Sequence, residues 1–189
     1  MWVMLALVLL AAIVAFLTRG MGFTSRAVPF ALEETAARAL RRWLTPVSIR
    51  NMANPVVTEG REIEEVLRAG MEHWADHCAS CHANDGSGDT AIGKSLYPPA
   101  PDMRGPRSQG MTDGELFYVI ERGIPFTGMP AWGTGTADGE RQSWELVRFI
   151  RHLPDLTMEE LERMEQLNPM SPAREQQEKD IEDFLSGRN

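Results

Sequence analysis

The chain has 189 residues, 24% of them charged and 43% hydrophobic, with a formal net charge of −8 at pH 7. That length allows one domain of ordinary size plus appendages, and the acidic balance argues against a nucleic-acid binder, which needs a basic face against phosphate. The charge is uneven: residues 1–58 carry six arginines against two acids (+4), residues 59–154 nine Lys/Arg against fifteen acids (−6), and residues 155–189 four against ten (−6). Such a distribution suits a partner with a positive docking surface or a fixed place in a larger assembly.

Met1 to Leu17, MWVMLALVLLAAIVAFL, is wholly apolar. Seventeen residues is the short end of a membrane-spanning helix, and extension through Thr18 to Phe23 lengthens it past one arginine. A cleaved signal peptide carries a basic n-region and a small-x-small cleavage site; here no basic residue precedes Arg19 and there is no clear A-x-A. Residues 1–23 are therefore expected to remain as a single-pass transmembrane anchor in a lipid bilayer. Residues 24–58 follow as an amphipathic helix and a linker. The helix, ALEETAARALRRWL over 31–44, has acids first and arginines last, as the helix dipole favours. It suits a membrane surface, with Trp43 at the interface, or a partner subunit. Pro46 ends it, and Pro46, Asn51, Asn54 and Pro55 mark 45–58 as linker.

A second helix is expected from Glu59 to His77, with Ile63, Val66, Leu67, Gly70, Met71 and Trp74 near one face. It runs into Cys78-Ala79-Ser80-Cys81-His82. Residues 83–111, rich in glycine and proline, read as a long irregular loop; a loop of that length usually has a functional reason, and wrapping a large apolar cofactor is one. Thr112 opens the next helix, with Glu115 completing a capping box, and Gly123 and Pro125 stop it. After a second Gly/Pro-rich segment, 124–139, a helix from Glu140 to Leu153 carries Trp144, Leu146, Val147, Phe149 and Ile150. Pro154 closes a domain of 59–154. The acidic tail, 155–189, has helix signals at Thr157/Glu160 and Ser171-Pro172 but too few large apolar residues to build a core alone.

The two cysteines are the only ones in the chain. In a C-x-x-C-H run both thiols can add to the vinyl groups of one haem, and the adjacent histidine can ligate its iron. A structural zinc site needs four protein ligands, usually two Cys/His pairs; the remaining histidines, His73, His77 and His152, form no second pair. A thioredoxin-type redox pair expects a βαβ setting, whereas this motif lies between a helix and a loop. Iron confined to electron transfer needs a second, soft or imidazole ligand. His73 and His77 share the approach helix with the motif and are poorly placed, and His152 reads as a rim residue. Met129 stands in Gly128-Met129-Pro130, where the glycine lets the backbone close in and the proline stiffens the turn. A methionine filling an apolar gap is the commoner fate, yet this loop favours ligation by Met129, with Met103 and Met111 as alternatives.

Residues 59–154 resemble the class I, single-haem cytochromes c, in particular the membrane-attached bacterial members. The resemblance rests on the haem motif, on Tyr97-Pro98-Pro99-Ala100-Pro101-Asp102-Met103, and on Gly123-Ile124-Pro125 leading to Gly128-Met129-Pro130-Ala131-Trp132-Gly133. Gly70 and Trp74 match the family's glycine and aromatic before the first haem cysteine, and Leu146 and Phe149 match the pair they pack against. The resemblance implies an all-α cytochrome c fold around one covalent haem c, with an N-terminal transmembrane helix and a helical acidic tail outside it. It implies haem contacts from Cys78, Cys81, His82, Met129, Pro99 and Trp132, with His82 and Met129 as iron ligands. In the family a proline carbonyl holds the ligating histidine's other ring nitrogen; Pro98, Pro99 and Pro101 are the candidates.

The function so implied is electron transfer, not catalysis: a tethered cytochrome on the periplasmic side of a bacterial cytoplasmic membrane, exchanging single electrons with a quinol-oxidising complex, a terminal oxidase or a photosynthetic reaction centre. It is either a shuttle or a permanent subunit of a respiratory or photosynthetic complex. The arginines after the anchor conflict with this orientation, because the positive-inside rule keeps such a flank cytoplasmic. The haem motif overrules them, since attachment of this type happens outside the cytoplasm. A haem enzyme or gas sensor with an open distal site is the alternative, but no distal His or Arg stands at a motif position. An acidic helical adaptor without cofactor is the third reading.

Overall fold

The structure, a computed structural model, describes residues 2–21, 24–25, 27–58 and 63–168, without the side chains of 14, 17–21, 57 and 58. Among the described residues the secondary structure is entirely helical. The helices are α1 (Trp2–Met21), α2 (Ala31–Leu44), α3 (Val47–Arg50), α4 (Ile63–His73), α5 (Ala79–His82), α6 (Ala91–Ser95), α7 (Pro106–Gln109), α8 (Asp113–Arg122), α9 (Ala137–His152) and α10 (Met158–Leu167). The tail signals at Ser171-Pro172 and the start of the expected helix at Glu59 lie outside the described residues.

The helix expected at the N-terminus is present as α1, 20 residues long. Among the described residues, however, no helix is long and apolar enough to cross a membrane. The described side chains of α1 are all exposed.

The core is built where α4 crosses α9, and Gly70 decides how closely. A Cβ at Gly70 would lie 2.5 Å from the Glu145 carbonyl oxygen and 2.8 Å from the Phe149 Cβ, so only hydrogen lets these backbones meet. Around that point Trp74 (1% exposed), Leu146 (1%) and Phe149 (0%) are sealed from water. Trp74 and Phe149 meet with ring centroids 5.9 Å apart and an interplanar angle of 59°, an edge-leaning pair of the favoured kind. From the other side α8 adds Leu116, Phe117 and Ile120, with Phe117 stacked on Trp144 at 4.2 Å. The start of α8 is fixed by its capping box: Thr112 Oγ1 accepts from the Glu115 N–H at 3.1 Å and Glu115 Oε2 from the Thr112 N–H at 2.9 Å.

Two segments belong to this fold more than their sequence suggests. Residues 45–58 are not a free linker. Asn54 is buried, donating Nδ2 to the Trp144 carbonyl at 2.8 Å while its Oδ1 accepts from Val56 N–H at 3.0 Å, and Val56 is 2% exposed within the core. α3 presses on the start of α8, where a Cβ at Gly114 would meet the Ile49 carbonyl oxygen at 1.8 Å. The tail also folds back. α10 has the expected Thr157/Glu160 capping box, and it carries Met164, fully buried, against α4 and the turn that follows α4. His152 pairs with Glu160 at 2.7 Å, which fixes it at the rim.

Candidate cofactor site

The approach helix does not run into the motif as one α-helix. After His73 the chain takes a π-helical turn, Trp74–Cys78, before α5 carries Ala79 to His82. A π turn inserts a residue without breaking the backbone ladder, and such bulges gather at functional sites. Here it leaves Trp74, Ala75 and Cys78 buried while Asp76 and His77 face outward. α5 ends abruptly because Ala83, with φ +63°, turns the chain away. The Trp74 indole N–H donates to the Ala83 carbonyl at 3.0 Å, tying the exit of the motif to its entry.

Short helices leave carbonyls unpaired at their C-terminal ends. The loop after the motif meets that need: Thr90 Oγ1 donates to the Cys81 carbonyl at 3.2 Å and the Gly88 N–H to the His82 carbonyl at 2.8 Å. Gly93 lies so close that a Cβ there would sit 2.2 Å from the Cys81 oxygen. Residues 86–93 thus form a backbone collar around Cys81 and His82.

Cys78 and Cys81 are free thiols, Cys78 buried and Cys81 half-buried. Burial, with Cys81 as a lesser cause, pushes the Cys78 thiol up to about 12. This is the opposite of what a redox dithiol or a thiolate nucleophile requires. Burial also lowers His82 and favours its neutral form, opposed in part by the Pro101 carbonyl. Among the candidate prolines it is the Pro101 carbonyl that raises the His82 value against burial. His82 Nδ1 is buried with no hydrogen-bond partner. The site therefore holds two free thiols, the buried one kept protonated, and an imidazole with an unmet polar atom, a set that fits covalent haem attachment and axial ligation.

Met129 is half-buried in the loop between α8 and α9. That loop folds back on the end of α8: the Ile124 N–H donates to the Met129 carbonyl at 3.0 Å, the Met129 N–H to Thr127 Oγ1 at 3.2 Å, and the Trp132 N–H to the Ile120 carbonyl at 2.9 Å. Gly123 turns it at φ +67°, and a Cβ there would meet Met129 O at 2.8 Å. Two contacts join the loop to the motif region. Gly128 abuts the Leu96 side chain beyond the collar, and Trp132 stacks on His77 with centroids 4.9 Å apart. His77 in turn meets His73 edge-on at 5.1 Å. This His73–His77–Trp132 stack was not foreseen, although histidines four apart share a helix face. The alternative sulfurs are less available: Met111 accepts from Arg41 at 3.3 Å, and Met103 packs against the core.

Among the described residues no three His, Cys, Asp or Glu side chains form a group that could hold a metal ion, and the buried thiol is held protonated. An all-helical domain that holds a buried C-x-x-C-H turn has the character of a single-haem c-type cytochrome domain, the class that binds haem c and transfers electrons. Residues 65–150 match the model of the family described as cytochrome C oxidase, cbb3-type, subunit III. The matched span opens in α4 and closes in α9, so it contains the motif and the Met129 loop and leaves α1–α3 and α10 outside.

Proposed function

We propose that this chain is a membrane-tethered carrier of single electrons in which Cys78 and Cys81 hold the haem through thioether bonds and His82 and Met129 ligate its iron. One observation carries the reading: a buried imidazole with an unpaired Nδ1 directly follows two free thiols, on a frame that also anchors the Met129 loop. Haem iron closed by imidazole and thioether exchanges one electron and favours the ferrous form. The chain's own residues position and shield. The collar at 86–93 and the Trp74–Ala83 bond fix the motif backbone, the Pro101 carbonyl orients the His82 ring, and the turn at Gly123 holds Met129.

The tether is argued from the sequence, an uncharged apolar run from Met1 to Leu17 ahead of the first charge at Arg19, and from the resemblance to membrane-attached cytochromes, since no described helix, α1 included, is long and apolar enough to span a bilayer. The family resemblance supports the periplasmic side of a bacterial membrane. The matched family is by its description an oxidase subunit, which favours a terminal oxidase as acceptor, with a quinol-oxidising complex as donor.

The test is the oxidised protein's weak near-infrared band from iron–methionine sulfur. Met129→Leu should abolish it and open the reduced protein to rapid carbon monoxide binding. A band that survives the substitution sinks the ligand assignment, and colour lost on acid-acetone extraction sinks the thioether attachment.

A further inference from the structure

The amphipathic helix α2 sits on the haem domain the wrong way round for a helix facing water. Its half-buried residues are polar. Glu33 accepts from the Tyr97 hydroxyl at 2.5 Å, Glu34 pairs with Arg107 at 2.8 Å, and Arg41 donates to the Met111 sulfur at 3.3 Å. At 100° per residue, positions 33, 34 and 41 share one side. The opposite side is a stripe of Leu32, Ala36, Ala39 and Trp43. Leu32 is 73% exposed and Trp43 78%, and no residue of α2 is buried. A surface helix ordinarily turns its apolar stripe inward. This one spends its polar side on the domain and presents its apolar side outward.

Three observations identify what covers that side. First, α2 begins ten positions after α1 ends, and the approach to it carries Val28, 83% exposed, and Phe30, 57% exposed. The approach to α2 is therefore apolar and exposed as well. Second, one edge of the stripe carries cations: Arg38 is exposed, and the Arg42 side chain, though paired with Glu115 at 3.6 Å, is 62% exposed. Residues 1–58 carry +4 in a chain of −8. A basic edge beside an apolar stripe complements anionic lipid headgroups. Third, Trp43, near the end of the stripe, has the amphipathic ring that settles at headgroup level.

We infer that α2 lies flat on an anionic bilayer surface, its Leu32–Trp43 stripe at the headgroup–acyl boundary and its polar side clasping the haem domain. This rests on the tether reading for the presence of the bilayer. It adds that the cytochrome domain is held at a set orientation by a rigid shoe, through Tyr97, Arg107 and Met111, instead of swinging on a loose linker.

The experiment uses the full, haem-loaded chain in nanodiscs of mixed phosphatidylglycerol and phosphatidylcholine, one copy per disc. A nitroxide is placed at Ala36→Cys or Trp43→Cys, with Glu162→Cys as a water-facing control, and an unchanged haem spectrum confirms each fold. The labels at 36 and 43 should collide with dissolved oxygen more often, and with a hydrophilic nickel chelate roughly threefold less often, than the control. Nickel accessibility equal to the control would overturn the proposal while leaving the tether standing, provided the protein still co-floats with the discs. Shielding from both relaxers would overturn it in favour of a protein contact. Failure to co-float would overturn both readings. The double variant Leu32→Glu/Trp43→Glu should keep its haem spectrum and lose the fixed haem-plane angle that linear dichroism reads in oriented bilayers; a retained angle would count against the shoe.

Discussion

Single residues set the tolerances of this site, and Gly70 is the sharpest case. The atoms a Cβ would strike, the Glu145 carbonyl oxygen and the Phe149 Cβ, belong to or adjoin the backbone of α9 and cannot swing aside. Gly70→Ala should therefore push α4 from α9 and cost about 1–3 kcal/mol, read as a lower guanidinium midpoint of the haem-loaded protein. A midpoint unchanged within error would mean that the helices slide freely at this crossing. The glycine was legible in the sequence because helical periodicity placed it on the apolar face and the family resemblance puts a glycine at that position. The carbonyl that serves His82 was not, because three prolines within four residues are equivalent as letters.

His73 gives a residue-scale dependence on pH. Burial lowers its pKa, helped by His77 and opposed by the Gln142 backbone and Asp76; its Nδ1 is buried without a partner. Above about pH 6.5, the ordinary value, the ring is neutral folded and unfolded and has no effect on stability. Below that, the unfolded chain binds a proton that the folded chain resists, so stability falls as pH drops toward the lowered folded value. Urea midpoints taken between pH 7.5 and 5.5 should decline in the native protein and decline less in His73→Gln. Parallel declines would remove His73 from the account.

At the scale of elements, what could be read locally was read well. The capping boxes at Thr112/Glu115 and Thr157/Glu160 depend on residues three apart, and both formed. The π turn was invisible because Trp74 and Cys78 are four apart, a spacing that an α-helix also allows, and hydrophobic order does not report which carbonyl a backbone N–H chooses. The adherence of 45–58 and of α10 was hidden for another reason: each brings only one or two apolar anchors, Val56 or Met164, and a lone anchor has no period. Such anchors are energetically large nonetheless. Met164→Ala should cost about 2–5 kcal/mol, the range for emptying a buried methionine site, seen as a lower melting temperature with the near-infrared band intact. A negligible change would show that α10 rests on the surface and contributes little to the core.

For the whole molecule, the division of charge and the placement of the site bear on one another. Residues 1–58 carry +4 and the rest −12, so the basic portion is the one that holds α1 and α2 and the acidic portion the one that holds the haem motif. A cytochrome held by its basic end against anionic lipid presents its acidic end to the space above, where a cationic docking surface can find it. Fields of this kind steer encounters and are screened over about 8 Å at physiological ionic strength. Electron transfer to a small basic redox protein should therefore slow by roughly tenfold between 10 and 150 mM salt, measured by stopped flow under second-order conditions. An acidic redox protein of similar potential should show the opposite trend, because screening relieves its repulsion. Equal salt dependence for both probes would detach the charge distribution from partner choice and leave the acidic surface serving solubility alone.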